Sequence, residues 1–529
     1  MRPEVDVIHK TVEGQSLAPV RYDIAPGPLF KVRNVLVYDA RTHAQMDPAL
    51  IDRTRPGADP AGPARAGALR AVQAAWVDQL RAQSYPLARV VDMRPVILHD
   101  LDVMDVAVTI DPGPRAGIGE IALKGSPGVD PSVIRSFIYL ENGEAYSPKK
   151  IADTRKSISQ IEAIGGVRIE DSEKLDANGN LPLLVTTSER KLHAVAMSAQ
   201  FSNTDGPSAR ASWTHRNLFG GAERLRFDVE AGVARLGGAS TFKRFSSLRW
   251  QDAVGRVGAS FVKPALWGTR NDLLVDAAFI RESTDYYYAS YGSANVAVRH
   301  RFDEYLSAQA GLELEAGRTV DAWGGHNYSL LGVPLAVNYD STDDRLAPTR
   351  GVRANLRIAP YVKALPHGVG MVQSKAQVSA YRALDEDARY VLAARVAAGS
   401  TVGAKIDDVP ANRRFFAGGG GSVRGYRYRS LSPENGFGRP TGGLSFFETS
   451  VEARIKITHD IGVVPFVDAG SAFSSPYPDF HTSSIRMAAG LGLRYYTAIG
   501  PIRLDIALPV NRKPGDSKFG VLIGVGEAF

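Results

Sequence analysis

Arg413-Arg414-Phe415-Phe416-Ala417-Gly418-Gly419-Gly420-Gly421-Ser422-Val423-Arg424-Gly425-Tyr426 lies in the longest irregular stretch of this 529-residue chain, which runs over 401–443. A connection of that length exceeds what a simple hairpin needs, and such loops are usually functional or disordered. The run Gly418 to Gly421 permits tight or left-handed backbone. Val423 and Tyr426 are suited to packing a loop tip against something. One cation, Arg424, stands between them.

On both sides of this loop, from about residue 190 to the end, the hydrophobic period is two, the period of strands. Leu225, Phe227, Val229, Ala231 and Val233 share one face, opposite Arg224, Arg226, Asp228 and Glu230. Val352, Ala354, Leu356 and Ile358 oppose Arg353, Asn355 and Arg357. Val451, Ala453, Ile455 and Ile457 face away from Glu448, Glu452, Arg454 and Lys456, and Ile502, Leu504, Ile506 and Leu508 face away from Arg503 and Asp505. A water-soluble sandwich alternates in the same way, with its apolar face inward. Two features favour a transmembrane antiparallel β-barrel. The polar faces are dense in Arg, Glu and Asp, which a wet lumen tolerates. The strands also continue to the last residue, and an apolar terminal strand over 518–529 ending in Phe529 would be a hazard as a free edge in water. Pairing it with the strand near 193–202 closes the barrel. The alternation predicts about sixteen strands, and an even number in the mid-teens is the firmer expectation. Eight of them are expected near 193–202, 328–340, 371–384, 388–400, 444–458, 461–473, 485–497 and 501–510.

Before residue 190 the periods are mixed. Ile110-Asp111-Pro112-Gly113-Pro114 repeats Ile24-Ala25-Pro26-Gly27-Pro28 at a domain-sized spacing, and each copy precedes a strand-like run. Each unit then reads strand, helix, helix, strand, strand. In the first, Leu69, Val72, Trp76 and Leu80 recur at helical spacing, and strands follow at Val90–Met93 and Val103–Val108. In the second, Ser147 is a good N-cap with Pro148 at the first helical position. Ile151, Ile158 and Ile161 form its buried stripe, Gly165-Gly166 stops the helix, and strands Val167–Ile169 and Leu183–Thr186 close the unit. Two unrelated small α+β domains would read similarly.

Composition restricts the chemistry. Hydrophobic residues make up 44% and charged residues 22%, which suits a globular chain. No run of roughly eighteen apolar residues occurs, which argues against a transmembrane helix but not against a barrel. There is no cysteine, so disulfides, thiolate metal sites and a cysteine nucleophile are excluded. No catalytic triad, phosphate-binding loop, zinc motif or carboxylate pair stands out. The ten histidines are scattered, and His215, His300 and His459 read as solvated or lumenal. No enzyme, cofactor or metal site is expected, and no nucleic-acid partner. The formal charge of +7 reads first as a solvated surface, and second as attraction to anionic lipid headgroups or acidic client segments.

Three stretches together resemble a known family. They are Phe415-Phe416-Ala417-Gly418-Gly419 with Ser422-Val423-Arg424-Gly425-Tyr426, Pro465-Phe466-Val467-Asp468-Ala469-Gly470, and Gly490-Leu491-Gly492-Leu493-Arg494-Tyr495 with Gly500-Pro501-Ile502-Arg503-Leu504-Asp505. They resemble the inward-folded loop, the F-x-D-x-G strand and the penultimate strands of the BamA/TamA outer-membrane protein-assembly superfamily, with the greatest similarity to its TamA branch. The resemblance covers nearly the whole chain. It implies that 1–28 is the C-terminal remnant of a polypeptide-transport-associated (POTRA) domain, that 29–112 and 113–189 are POTRA domains in the periplasm, and that 190–529 is the outer-membrane barrel. The first residues do not read as a signal peptide.

The resemblance further implies that the loop motif Val423, Arg424, Gly425 and Tyr426 reaches into the lumen, where Arg424 pairs with Asp468. Strand parity adds Glu448 and Glu452 as further candidates. An ordinary exposed loop cation is the alternative for Arg424. The implied activity is non-enzymatic. POTRA domains receive unfolded outer-membrane protein or autotransporter clients, and a seam between the first and last barrel strands templates them in contact with outer-membrane lipid. Gly520, Gly524 and Gly526, before Phe529, would weaken that seam; close packing inside the barrel is the other reading of these glycines. An inner-membrane-anchored TamB-type protein is the implied partner. A two-partner-secretion transporter exporting one dedicated substrate is the alternative, and a passive porin a more distant one.

Overall fold

The computed structural model describes residues 4–7, 20–23, 30–51, 64–202, 206–233, 253–481, 484–497 and 500–529. Most of 1–28, including Pro26-Gly27-Pro28, lies outside the described residues, as does 52–63. A short hairpin, β1 (Glu4–Val7) with β2 (Val20–Asp23), is all that is described there.

Contacts divide the chain into two compact units: Met1–Lys124 with Leu140–Arg155 and Arg168–Thr186, and Gly125–Tyr139 with Lys156–Val167 and Thr187–Phe529. The first α+β module runs β3 (Lys31–Asp39), α1 (Ala66–Ala82), β4 (Arg89–Leu98) and β5 (Val103–Asp111), in sheet order β3-β5-β4. Strands β3 and β5 are parallel, β4 and β5 antiparallel. Leu69, Val72, Trp76 and Leu80 are the buried stripe of α1. They pack on Val32, Val37, Val106, Val108 and Ile110, the inward residues of β3 and β5. Trp76 is the largest of these side chains and is fully buried. Trp76→Ala is expected to cost this module about 3–5 kcal/mol, read as a lower urea midpoint of its helical circular-dichroism signal.

The second module runs β6 (Ile118–Gly125), α2 (Pro131–Ser136), α3 (Pro148–Ile158), β7 (Ile164–Asp171) and β8 (Leu181–Glu189), in sheet order β6-β8-β7. Both modules thus place the last strand in the middle of the sheet. Ile118, Leu181 and Leu183 form a core with Tyr146, and Ile151 packs against it. Gly165 and Gly166 do not stop the helix, contrary to the sequence expectation. α3 ends at Ile158, and both glycines lie within β7. An added Cβ on Gly165 would meet Arg190 Cγ at 3.0 Å, and one on Gly166 would meet Ser188 Oγ at 2.9 Å, so close packing explains both.

Segments 125–139 and 156–167 group with the barrel because its turns grip them. The buried Arg301 guanidinium donates to Ser136 O at 3.1 Å and to the Tyr139 hydroxyl at 3.2 Å. It also stacks 3.6 Å from the Phe137 ring centre. Arg301 is in turn held by the fully buried Asp272.

The barrel strands are β9 (His193–Ser202), β10 (Gly206–His215), β11 (Arg224–Val233), β12 (Ala253–Lys263), β13 (Asn271–Ser283), β14 (Tyr288–Arg301), β15 (Leu306–Asp321), β16 (Gly324–Gly332) and β17 (Leu335–Asp340). They continue with β18 (Gly351–Val362), β19 (Met371–Ala383), β20 (Tyr390–Val402), β21 (Ser445–Lys456), β22 (Ile461–Phe473), β23 (Arg486–Tyr495), β24 (Ile502–Pro509) and β25 (Gly520–Val525). Apart from β16 and β17, neighbours in sequence pair antiparallel, and the sheet closes with β25 beside β9. The seventeen segments differ from the sixteen strands expected because 328–340 is broken. β16 and β17 both lie between β15 and β18. The break falls at Val333-Pro334, where proline has no N–H to donate to the ladder.

The side chains point the opposite way from those of a soluble sandwich. Phe227, Val229, Leu491 and Ile506 are 48%, 49%, 55% and 49% exposed on the outer face. Glu452, Asp468, Arg494 and Asp505 are fully buried inside. An apolar outside around a polar inside is the arrangement of a barrel that spans a bilayer. Among the described residues no helix is long and apolar enough to cross a membrane.

The final strand is shorter than the alternation suggests. β25 ends at Val525 instead of running to Phe529. Gly526 then adopts φ +86°, and the last residues turn into the barrel. The pull is ionic. Arg494 Nε donates to Glu527 Oε2 at 2.8 Å and Arg454 lies 3.8 Å from the same carboxylate, while Arg454 also donates to the backbone oxygen of Phe529 at 3.1 Å.

Candidate functional site

The loop from Val402 to Ser445 folds inward instead of standing clear of the barrel. Its two arms pair at Phe415 with Gly443 and at Ala417 with Leu431. Gly418 and Gly419 adopt φ +99° and +102°, values that L side chains rarely take, and reverse the chain. The Ser422 hydroxyl accepts from Gly418 N at 2.8 Å, and Val423 O accepts from Gly419 N at 3.1 Å. This turn carries Val423 and Tyr426 into a small core with Ala417, Leu431 and Ala488 of β23. The Tyr426 hydroxyl bonds Met487 O and Asn511 Oδ1, both at 3.1 Å. Gly425, at φ +93°, lies so close to β24 that an added Cβ would sit 3.2 Å from Ala507 O.

The turn delivers Arg424 to the wall, where it is 1% exposed. Alternation places Ser450 and Glu452 of β21, Phe466 and Asp468 of β22, and Asp505 of β24 on the same inner face. Arg424 forms a fork with Asp468, with Nε to Oδ2 at 2.7 Å and NH2 to Oδ1 at 2.8 Å. Its backbone N–H adds a third bond to Oδ2 at 3.0 Å. NH1 donates to Glu452 Oε1 at 2.8 Å and to Asp505 Oδ2 at 3.2 Å, and NH2 to Ser450 Oγ at 3.2 Å. The guanidinium lies 3.4 Å from the Phe466 ring centre. Burying a cation costs several kcal/mol, which only paired charges and satisfied donors offset. A planar five-donor fork supplies both.

Glu448 is not a partner of Arg424. It binds Arg395 NH2 at 3.3 Å and accepts from the Ser422 hydroxyl, so it touches the loop one turn away. Residues 448 and 452 lie four apart on one strand, too far for one guanidinium to span along with Asp468. Asp505 was not expected as a partner, although parity had already placed it on the polar face of its strand. The other loop arginines also escaped sequence reading. Arg413 meets Glu313 and Glu315 of β15. Arg414 meets Asp321 at 2.6 Å and stacks on Trp323, and Arg429 bonds the buried Tyr287 hydroxyl. Their partners lie far away in sequence and carry no local signal.

Of the seam residues, Gly520 and Gly524 lie in β25, whereas Gly526 and Phe529 lie beyond it. Close packing accounts for the first two. An added Cβ on Gly520 would sit 2.9 Å from Gly425 Cα of the loop tip, and one on Gly524 would sit 2.9 Å from Arg503 Nε. The loop tip therefore rests directly on the last strand. This arrangement sets the loop tip inside the barrel against β25, one of the two strands of the seam.

A family model described as the Omp85 superfamily domain matches residues 217–529. The outer membrane protein assembly factor BamA of Neorickettsia risticii is 24% identical over 429 residues, covering 78% of this chain and 55% of that protein. BamA of Neisseria meningitidis serogroup B is 20% identical over 473 residues, covering 80% and 58%. The chain thus spans about half the length of the curated relatives it matches. Among solved structures, BamA from Haemophilus ducreyi lacking POTRA domains 1–3 superposes with a TM-score of 0.56 at 16% identity, covering 93% of this chain and 99% of that one. CdiB from Acinetobacter baumannii gives 0.51 at 11% identity, covering 95% and 91%.

Proposed function

The chain belongs to the Omp85 superfamily, and from that premise we propose that it is a non-enzymatic assembly factor of the outer membrane that inserts β-barrel clients through the seam between β25 and β9. The observation that carries the reading is the buried Arg424 loop tip packed against the last strand. Inward loops occur in other barrels too, but here the tip rests on the closing strand, the part of the wall that an insertase would open. An insertase needs a wall that can part, beside a plug that keeps the membrane sealed. β25 has six residues, and main-chain pairing along a parted edge accepts a client strand without regard to its sequence. The energy comes from client folding.

The two N-terminal modules are read as POTRA domains in the periplasm, presenting sheet edges to unfolded chains. The finer assignment is to the TamA branch, with autotransporter-class clients and a TamB-type inner-membrane partner. The motif Ser422-Val423-Arg424-Gly425-Tyr426 and the F-x-D-x-G strand support the superfamily; the branch is our own reading of the sequence, and the curated relatives named above are BamA proteins.

The test uses the absence of native cysteine. Cysteine pairs placed across β9 and β25, oxidised in proteoliposomes, are expected to abolish assembly of an added autotransporter barrel, and reduction is expected to restore it. Assembly that proceeds at full rate with the seam locked defeats the reading. Export of a soluble substrate through the locked barrel points instead to a two-partner-secretion transporter.

A further inference from the structure

We propose that the C-terminal tail Gly526–Phe529 is a latch that couples the loop tip to the seam, with Glu527 as its positioning residue; this rests on the insertase reading above, in which the seam is the working element. Six charged side chains form a closed circuit of alternating sign inside the barrel. Arg424 meets Glu452 at 2.8 Å, Glu452 meets Arg454 at 3.1 Å, and Arg454 meets Glu527 at 3.8 Å. Glu527 meets Arg494 at 2.8 Å, Arg494 meets Asp505 at 2.5 Å, and Asp505 returns to Arg424 at 3.2 Å. Four members stand on wall strands. Arg424 comes from the loop and Glu527 from the tail that continues the seam strand. Each of the six is almost fully buried.

The tail is also fastened across the mouth of the barrel. Gly526 N donates to Pro501 O at 2.7 Å, and Glu527 N to Leu346 O at 3.3 Å. Leu346 belongs to the turn 341–350 between β17 and β18, which β19 to β24 separate from β25 in strand order. That turn is stiffened from within. Asp343 accepts from Thr349 N at 2.9 Å and Arg350 N at 3.2 Å, and Asp344 accepts from Leu346 N at 2.7 Å and Ala347 N at 2.8 Å. Pro348 O accepts from Arg454 at 3.2 Å, so the turn grips both the tail and its cation.

A ring of buried alternating charges cannot lose one member cheaply, because both neighbours are left with uncompensated charge. Withdrawing Glu527 leaves Arg454 and Arg494 pulling only on Glu452 and Asp505, two of the three carboxylates that hold Arg424. The loop tip is then held less firmly. Coupling of this kind is reciprocal, so freeing Arg424 must loosen the tail by the same factor. Outward movement of the last strand and release of the loop tip become one event.

The test is hydrogen–deuterium exchange on the full chain in nanodiscs, with no client present. Glu527→Gln keeps the shape and removes the charge. It is expected to speed exchange about tenfold both in peptides covering 520–529 and in peptides covering 418–428, and to leave 390–402 of β20 unchanged. Arg424→Lys is expected to speed exchange at 520–529 by a similar factor. Glu527→Asp, which keeps the charge, gives a smaller effect of the same pattern and serves if the glutamine variant does not fold. Each substitution loosening only its own segment overturns the latch, as does equal loosening of 390–402. Because no client is used, the latch can fail while seam-dependent assembly stands, and the reverse.

Discussion

Replacing Arg424 by alanine is expected to lower the stability of the folded barrel by about 3–5 kcal/mol, the cost of breaking a buried ion pair from one side. The magnitude follows from what remains. Asp468, fully buried, would lose the fork that pairs it, and Glu452 and Asp505 would be left to Arg454 and Arg494 alone. Arg424→Lys is expected to recover less than half of the loss. An ammonium can meet one carboxylate well, but it cannot reproduce a fork on Asp468 while reaching Glu452 and Ser450. Asp468→Asn is expected to fall between the two, since it removes charge but keeps an acceptor. The measurement is the temperature at which the compact barrel band is lost on a semi-native gel, with protease cleavage within 418–428 as a local readout. A barrel as heat-resistant with alanine as with arginine, and a loop equally protected, would contradict the hub.

The second large effect concerns the outer face. Leu491 is 55% exposed in the middle of β23, flanked on the same face by Leu493 at 47%. On a water-soluble protein, an exposed leucine replaced by arginine changes stability by no more than about 0.5 kcal/mol. On the lipid face of a barrel the same change costs about 2–4 kcal/mol near the bilayer midplane. Leu491→Arg is therefore expected to lower the denaturant midpoint in phospholipid vesicles, and to do so less in short-chain detergent, where the headgroup surface is nearer. Equal midpoints in vesicles would mean that this face does not meet lipid.

How far the inner site could be read in advance depended on distance along the chain. Asp468 was legible from the resemblance of the loop and the F-x-D-x-G strand to a known family, and Glu452 from strand parity. Glu448 shares the same parity and was misassigned. Parity gives a face, but it does not give the height along a strand, and Arg395 from β20 occupies that level. Asp505 was visible as an inward acid, yet only the curvature of the closed wall brings β24 to the same guanidinium as β22. The partners of Arg413 and Arg414 sit on β15, remote in sequence, with nothing local to announce them. The last strand is expected over 518–529, from two residues before the start of β25 to four beyond its end. Gly-Glu-Ala-Phe continues an apolar run plausibly, and the inward pull of Arg494 and Arg454 on Glu527 appears only when the barrel is folded.

Period-two alternation, glycine punctuation and the absence of cysteine are properties of neighbouring residues. They mark the strands and a long irregular loop and exclude cysteine chemistry; the inward course of that loop followed only from the family resemblance. Which carboxylates meet Arg424, where β25 stops and how the tail reaches Leu346 were decided by the closing of the cylinder. Closure brings side chains from strands remote in sequence within hydrogen-bond distance inside the barrel, where they are buried. There, opposite charges must find one another or remain uncompensated.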